Sequence, residues 1–387
     1  MIKRILTPYL LDLAGKYPVI LLTGPRQSGK TTLCRSAFPN LPYITLESID
    51  IREYAVSDPR GFLEKYKHGA IFDEIQKAPD IPSYLQQIVD EPDFQGVFIL
   101  TGSQNFSVQN SINQSLAGRT AVLNLLPFSL QELSAYSHLE KSDNYLLKGF
   151  YPRLYEKKIP PHRFYSDYLT TYIERDVRSI LKIKDLLVFQ RFMKLCAGRS
   201  AQLLNISALA SDSGVTQKTA AEWLTVLEAS YILFRLPPFY KNISKRLVKS
   251  PKLFFYDPGL MSRLLDIEDI SQLGGHPLRG SIFETMVVSD MIKKRFNAGK
   301  ANNFCFYRDS NNTEVDLILT EGARYVPVEI KSGKTINKDY FFGLAHFKKH
   351  IKESASGFLV YDGADAGERN NMHFIGFPHL AHAEFKI

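Results

Sequence analysis

An α/β protein of several domains, opening on a parallel sheet, is what this sequence of 387 residues predicts. Three observations predict it. At "YPVILLTGPRQSGKTTLCRSAF" an apolar run, a glycine-bounded loop and a helical stretch follow one another; further apolar runs alternate with helical stretches to about residue 135. Near the other end, "VDLILTEGARYVPVEIKSGKT" reads as two apolar strands joined by a Glu-Gly turn and carrying Asp316, Glu329 and Lys331. The chain is too long for one ordinary core, and the pattern divides it at 1–135, 136–199, 200–268 and 269–387.

Charged residues make up 23% and apolar residues 44%, the balance of an ordinary globular protein, which excludes disorder as the main theme. Cys34, Cys196 and Cys305 stand far apart with no paired spacing, so neither a disulfide framework nor a thiolate zinc site is indicated and a reducing cytoplasm fits. The basic start "MIKRILTPYLLDLAGKYPVILLTG" is broken by Pro8, Asp12 and Lys16, so neither a signal peptide nor a membrane span is expected. Net charge is +8, unevenly placed: residues 1–135 hold 12 basic against 13 acidic residues, and the rest 36 against 27. The basic excess beyond residue 135 is either a solvated surface or a footprint for a nucleic-acid backbone.

Gly24 to Thr31 fits G-x-x-x-x-G-K-[ST] at every fixed position. Gly24 and Gly29 let the backbone curl its N–H groups toward phosphate oxygens, and the helix N-terminus adds its positive end. Lys30 reaches the outer phosphates and Thr31 offers a hydroxyl to Mg²⁺. The candidate ATP-binding set is therefore Gly24, Pro25, Arg26, Gln27, Ser28, Gly29, Lys30, Thr31 and Thr32. Cys34 reads as a packed helix residue.

After one more strand, "LPYITLES", and a helix, "PRGFLEKY", the apolar run "GAIFDEIQ" ends in acids. Asp73 would hold Mg²⁺ through its water shell, and Glu74 would orient the attacking water. The next strand, "GVFILTGSQN", brings Thr101 and Ser103 to an edge where they could sense the γ-phosphate. A helix and a fifth strand follow in "NSINQSLAGRTAVLNLLPFSLQEL". Arg119 is either an arginine that stabilises transition-state charge, in its own or a neighbouring subunit of a homo-oligomer, or a plain surface arginine.

With "GPRQSGKT", "IFDE", "LTGS" and "LAGRT" in this order, residues 18–135 resemble the AAA+ (ASCE-type) P-loop ATPases. Together with "TYIERDV", "LEASYILFRLPPFYKN" and "KSPKLFFYDPGL", the chain resembles a prokaryotic family that joins such an ATPase to a C-terminal domain of unknown function. The resemblance implies ATP binding and leaves the biological role open.

Residues 136–199 read as a helical lid, with Glu174, Arg175 and Asp176 in a charge run. From 200 to 268, "NISALASDSGVTQKTAAEWLTVLEASYIL" gives a helix, a Ser/Gly turn and a second helix opened by Thr216. A strand, a basic loop and another strand follow, resembling the wing of a winged helix. Lys241, Lys245, Arg246, Lys249 and Lys252, with Tyr240 nearby, would suit DNA phosphates; winged helices also bind proteins.

In 269–387, "LRGSIFETMVVSDMIKKRF" is a mostly apolar helix carrying Glu284. Three short strands, a helix and a strand come next. This order, with an acid on the helix, an Asp on one strand and E-x-K on the next, resembles the core of the PD-(D/E)XK nucleases, a restriction-endonuclease-like α/β fold. Alternation puts Glu329 and Lys331 on one strand face with Asp316 beside them. Glu284, Asp316 and Glu329 would make an oxygen site for Mg²⁺, and Lys331 would orient a water or stabilise developing charge. "EVD" stands where the name-giving Pro-Asp would be, and Glu314 is a spare acid on the same face. E-x-K also occurs as a surface ion pair, and sites of this kind decay into binding modules, so cleavage and mere binding of a partner both stay open. His346 and His350 have the i, i+4 spacing of zinc ligands, but "HFKKH" lacks the glutamate of a zinc peptidase.

Overall fold

The computed structural model describes residues 2–103, 116–173, 185–239 and 250–385. They form two compact units: Met1–Phe128 with Ala229–Tyr231 and Arg295–Ala301, and Ser129–Glu228 with Ile232–Lys294 and Asn302–Ile387. The segments expected as lid, helix-turn-helix and C-terminal domain thus share one unit. No helix among the described residues is long and apolar enough to cross a membrane.

The first unit is built on β1 (Val19–Thr23), β2 (Tyr43–Thr45), β3 (Gly69–Asp73), β4 (Val97–Gly102) and β5 (Thr120–Asn124), ordered β2-β3-β4-β1-β5. Every neighbouring pair is parallel. Both faces are covered, which is why the strands read as unbroken apolar runs. Val19, Leu21, Phe72, Phe98 and Leu100 pack one face against Phe62, Leu63 and Leu85. Ile20, Leu22, Ile71 and Ile99 pack the other against Leu6, Leu10 and Leu33. At about 1.5–3 kcal/mol for each buried aliphatic or Phe side chain, these layers dominate the unit's stability. β1 lies between β4 and β5, so the chain reverses direction across the sheet beside it, and the carboxyl ends of β1, β3 and β4 share the edge where such sheets bind ligands.

In the second unit, helix Ile206–Ser213 starts on the Asn205 side chain, which accepts from Ala208 N at 3.0 Å, and stops at Gly214, whose φ of 76° suits glycine. Helix Gln217–Ala229 follows, with Thr216 Oγ1 accepting from Thr219 N, and Trp223 packs edge-on against Phe189 and Phe192. β6 (Leu233–Leu236) and β7 (Lys252–Phe255) form an antiparallel pair. Glu174, Arg175 and Asp176, and the loop cations Lys241, Lys245, Arg246 and Lys249 with Tyr240, lie outside the described residues.

Helix Arg279–Asn297 buries Ile282, Phe283, Met286, Val287, Val288, Met291 and Ile292, as its apolar pattern requires. The adjoining sheet contains β8 (Cys305–Arg308), β9 (Glu314–Glu321), β10 (Arg324–Lys331), β11 (Phe358–Tyr361), β12 (Ala366–Arg369) and β13 (Met372–Gly376). Its order is β12-β13-β11-β10-β9-β8. β8, β9 and β10 run as an antiparallel meander, and helix Phe342–His350 lies in the crossover to β11, which is parallel to β10. β12 and β13 extend the sheet beyond the elements read from the sequence, through a turn at Asn370 and Asn371, both with φ near 55°.

Candidate functional site

The phosphate cradle follows directly from the end of β1. Gly24 has φ 147°, and a Cβ there would stand 2.1 Å from Leu125 O, so no other residue fits. Gly29 (φ 94°) precedes helix Lys30–Ala37, whose first-turn N–H groups have no partner within the helix. The Lys30 ammonium is buried and donates to Gly24 O (2.8 Å) and Pro25 O (2.9 Å). Burial lowers its pKa, and the charges of Glu74 and Asp73 partly oppose that. Ser28 Oγ is buried without a hydrogen-bond partner. Arg26 approaches Glu47 at 3.7 Å, and Thr32 is exposed on the first turn of the helix.

Asp73 collects three hydroxyls: Thr31 (3.1 Å), Tyr43 (2.7 Å) and Thr101. Glu74 has a left-handed backbone, φ 57°, an arrangement that costs a non-glycine residue about 1–3 kcal/mol and persists where a site demands it. Its N–H donates to Thr101 Oγ1 (3.4 Å), and its carboxylate accepts from Ser103 (3.2 Å) and Gln76. Thr31, Asp73, Thr101, Glu74 and Ser103 are therefore joined in one continuous hydrogen-bonded network, beside which Lys30 stands on the loop carbonyls. Cys34 is buried and its thiol is pushed up to about 12 by that burial, an inert packed residue.

Several residues of this site were not found from the sequence, among them Tyr43 on Asp73. Gln76 bridges Glu74 and Ser103. Arg4 donates to Ser28 O (2.7 Å) and Leu126 O (2.6 Å), holding the loop from behind. The hydroxyls of Tyr231 and Thr23 stand 2.8 Å apart, and both reach Asn124 Oδ1. No local motif marks these contacts, because the partners of Arg4 and Tyr231 are remote in sequence.

Arg119 is placed elsewhere. Thr120 pairs with Val19 at the start of β1, so Arg119 sits at the opposite edge of the sheet from the cradle, a strand length of roughly 15 Å away. It grips Asp90, with Nη2 to Oδ2 at 2.8 Å. This places its side chain away from the cradle of its own subunit, a position that motif order alone does not reveal.

The second constellation lies in the other unit, where Glu284, Asp316, Glu329 and Lys331 do come together. Lys331 Nζ contacts Glu329 and lies 3.5 Å from Asp316 Oδ2, which also accepts from Ile330 N at 2.8 Å. A fifth member is Lys252. Its ammonium lies 3.3 Å from Glu284 Oε1, 2.5 Å from Glu314 Oε1 and 3.7 Å from Asp316 Oδ1. Arg308 pairs with Glu314 from outside at 3.1 Å. Burial lifts Glu284 to about 8 against the pull of Lys252, and burial lifts Glu329 likewise to about 8, with Asp316 adding to it. Burial works against both lysines, but the surrounding carboxylates outweigh it and hold their pKa values up.

Two sequence expectations change here. Lys252 is not on a wing facing phosphates: it is 2% exposed, because β7 begins with it and turns its side chain into the cluster. Glu284, Asp316 and Glu329 do not form a metal site, since no group of three such ligands among the described residues is arranged to hold an ion and ammonium groups stand between them. Divalent metal therefore fits the cradle, with its oxygen donors and orphaned Ser28 hydroxyl, and does not fit this cluster. His346 pairs with Asp309 at 2.9 Å and stacks on His350.

Residues 16–134 match the family model described as an AAA domain. Residues 139–271 and 279–380 match two domains of unknown function, DUF8612 and DUF4143. Uncharacterized proteins Rv2008c of Mycobacterium tuberculosis and Mb2031c of Mycobacterium bovis are each 29% identical over 321 residues, covering 82% of this chain and 71% of theirs. Among solved structures, the Walker-type ATPase PABY2304 of Pyrococcus abyssi is similar at 15% identity, over 68% of this chain and 96% of its own, with a TM-score of 0.45. Protein VC1899 of Vibrio cholerae aligns over 94% and 95% at 12% identity with a TM-score of 0.23. The match of residues 16–134 to an AAA domain, the parallel sheet and the cradle support ATP binding by the N-terminal region.

Proposed function

We propose that the chain is an ATP-hydrolysing AAA+ switch whose second unit engages a partner without metal-dependent cleavage. The network running from Thr31 through Asp73 and Thr101 to Glu74 and Ser103 is the observation that carries the ATPase reading. Lys30 would leave the Gly24 and Pro25 carbonyls for the outer phosphates. Thr31 and Asp73 would hold Mg²⁺, which when bound neutralises charge on the phosphates. Glu74 would orient the attacking water, held off its preferred backbone geometry by Thr101, while Ser103 and Thr101 register the γ-phosphate. Free thiols at Cys34, Cys196 and Cys305 suit a reducing cytoplasm.

ATP turnover by the purified chain tests this. Glu74→Gln is expected to lower kcat by roughly 10²–10⁴-fold, the usual worth of a positioned general base, with ATP affinity retained. Equal turnover in wild type and variant would remove Glu74 from the mechanism.

Arg119, facing away from its own cradle, is assigned to the nucleotide of a neighbouring subunit in a homo-oligomer. Arg119→Ala should then cost on the order of 10³-fold in turnover, and wild-type specific activity should rise with protein concentration. If neither is seen, the arginine only pairs with Asp90.

The partner assigned to the second unit is nucleic acid, on the basic excess beyond residue 135. Convergence of Glu284, Asp316, Glu329 and Lys331 favours a second reading, Mg²⁺-dependent nucleolysis, and the buried Lys252 weighs against it. Incubation with single- and double-stranded DNA, with Mg²⁺ or EDTA and with or without ATP, separates the two: cleavage that EDTA abolishes supports the second.

A further inference from the structure

Lys252 is held unlike an ordinary surface lysine. Its strand is hydrogen-bonded on both sides: β7 pairs with β6, and Ala201 N donates to Leu253 O (2.7 Å), Leu204 N to Pro251 O (2.8 Å) and Leu253 N to Gln202 O (3.1 Å). The backbone cannot carry the ammonium away without breaking this pairing. Around the ammonium stand three carboxylates from two different elements, Glu284 from the helix, Glu314 and Asp316 from β9, and the Phe306 ring lies 5.5 Å away.

An all-oxygen, all-anionic surround is the donor set of a hard cation. A pair made only for stability needs one carboxylate, and buried pairs are weak stabilisers at best. Charge balance points the same way. In the ionised form that metal binding would require, Glu284, Glu314, Asp316 and Glu329 face Lys252, Lys331 and Arg308, a surplus of one negative charge. Without Lys252 the surplus is two, which a single divalent ion cancels. Glu329, whose Oε1 meets Lys331 next to Asp316, keeps its Oε2 buried and without a hydrogen-bond partner, an oxygen with unused capacity in the same cluster.

We propose that Lys252 is a built-in cation standing in the place of a divalent metal, and that replacing it by a neutral side chain opens a metal site formed by Glu284, Glu314 and Asp316. This rests on the reading of the second unit as free of metal chemistry, and it is independent of ATP turnover. The native cluster then recognises a partner through fixed charge and leaves EDTA without effect on that recognition.

The test is Mn²⁺ binding to the full chain without nucleotide, followed by the electron paramagnetic resonance of free Mn²⁺, for wild type, Lys252→Met, Lys252→Arg and Lys252→Met/Asp316→Asn. Lys252→Met is expected to bind an Mn²⁺ that wild type and Lys252→Arg do not, and the Asp316→Asn change should abolish it. In parallel, Mn²⁺ at about 100 times its Kd should raise the Tm of Lys252→Met by on the order of 5 °C and leave wild type unmoved. A Lys252→Met chain that folds only with Mn²⁺ present also supports the proposal. Wild type binding Mn²⁺ as tightly as Lys252→Met at a site lost with Asp316→Asn overturns it. So does a Lys252→Met chain that binds no Mn²⁺, or that stays unfolded in saturating Mn²⁺. None of these outcomes touches the ATPase reading, which fails only on turnover.

Discussion

Lys30→Ala is expected to weaken ATP binding by roughly 10²–10⁴-fold, the loss of two charge-assisted hydrogen bonds to phosphate at about 1.5–3 kcal/mol each. The fold should survive the change. The Lys30 ammonium is buried and its pKa is lowered by that burial, so the charge is carried at a cost, and its two bonds run to the loop carbonyls Gly24 O and Pro25 O rather than to the sheet. Removing the side chain takes away that cost together with those bonds, and the Tm without nucleotide should change little. The Tm rise on adding MgATP that is expected of wild type should vanish. Calorimetric titration with a slowly hydrolysed ATP analogue, beside thermal unfolding with and without nucleotide, reads both quantities. Retained affinity would mean that the loop backbone alone holds the phosphates.

The two constellations were legible in the sequence to different degrees, for a physical reason. Gly24 to Thr31 are consecutive and their geometry follows from local backbone needs: glycine at two positive-φ positions, a lysine on the first helical turn, a strand before and a helix after. Such a site is specified within one supersecondary unit, as are Asp73 and Glu74 at the end of a buried strand. Arg4 and Tyr231 meet the loop only after folding, from segments whose own composition gives no hint of it. Lys252 misleads for the opposite reason. Next to "KS" and a proline it reads as the end of a basic loop, and only the register Leu236↔Lys252 turns its side chain inward. The outermost strands of the second sheet escape notice because β12, "AGER", is exposed along its whole length and has no apolar alternation to show.

The largest loss of stability is expected at Asp257, in the second unit. Its side chain is 1% exposed and accepts three hydrogen bonds: from Phe150 N (2.8 Å), from Tyr165 OH (2.6 Å) and from Leu260 N (3.0 Å), capping helix Pro258–Leu264. One carboxylate thus joins the turn after Lys148, the helix Pro161–Tyr168 and the helix that follows β7. Space is reserved for it: a Cβ at Gly149, φ 67°, would stand 2.3 Å from Asp257 Oδ1, and one at Gly259 would stand 2.6 Å from the Tyr165 hydroxyl. Asp257→Ala would leave the Phe150 and Leu260 N–H groups without acceptors, and the Tyr165 hydroxyl with only Lys148 O at 3.0 Å, in a region too tightly packed for water to replace the carboxylate. At about 1–3 kcal/mol for each of the two orphaned groups, the expected cost is roughly 2–6 kcal/mol. Asp257→Asn keeps one carbonyl oxygen but turns an NH₂ toward a donor, so it should recover only part of this. Denaturant unfolding followed by Trp223 fluorescence reports on the second unit, and MgATP binding to the variant reports on the first. A loss below about 1 kcal/mol, within the range of an ordinary surface substitution, would show that the Phe150 and Leu260 N–H groups find other partners. A loss of the expected size with the Trp223 transition moved and ATP affinity intact would place Asp257 as the bolt of the second unit alone.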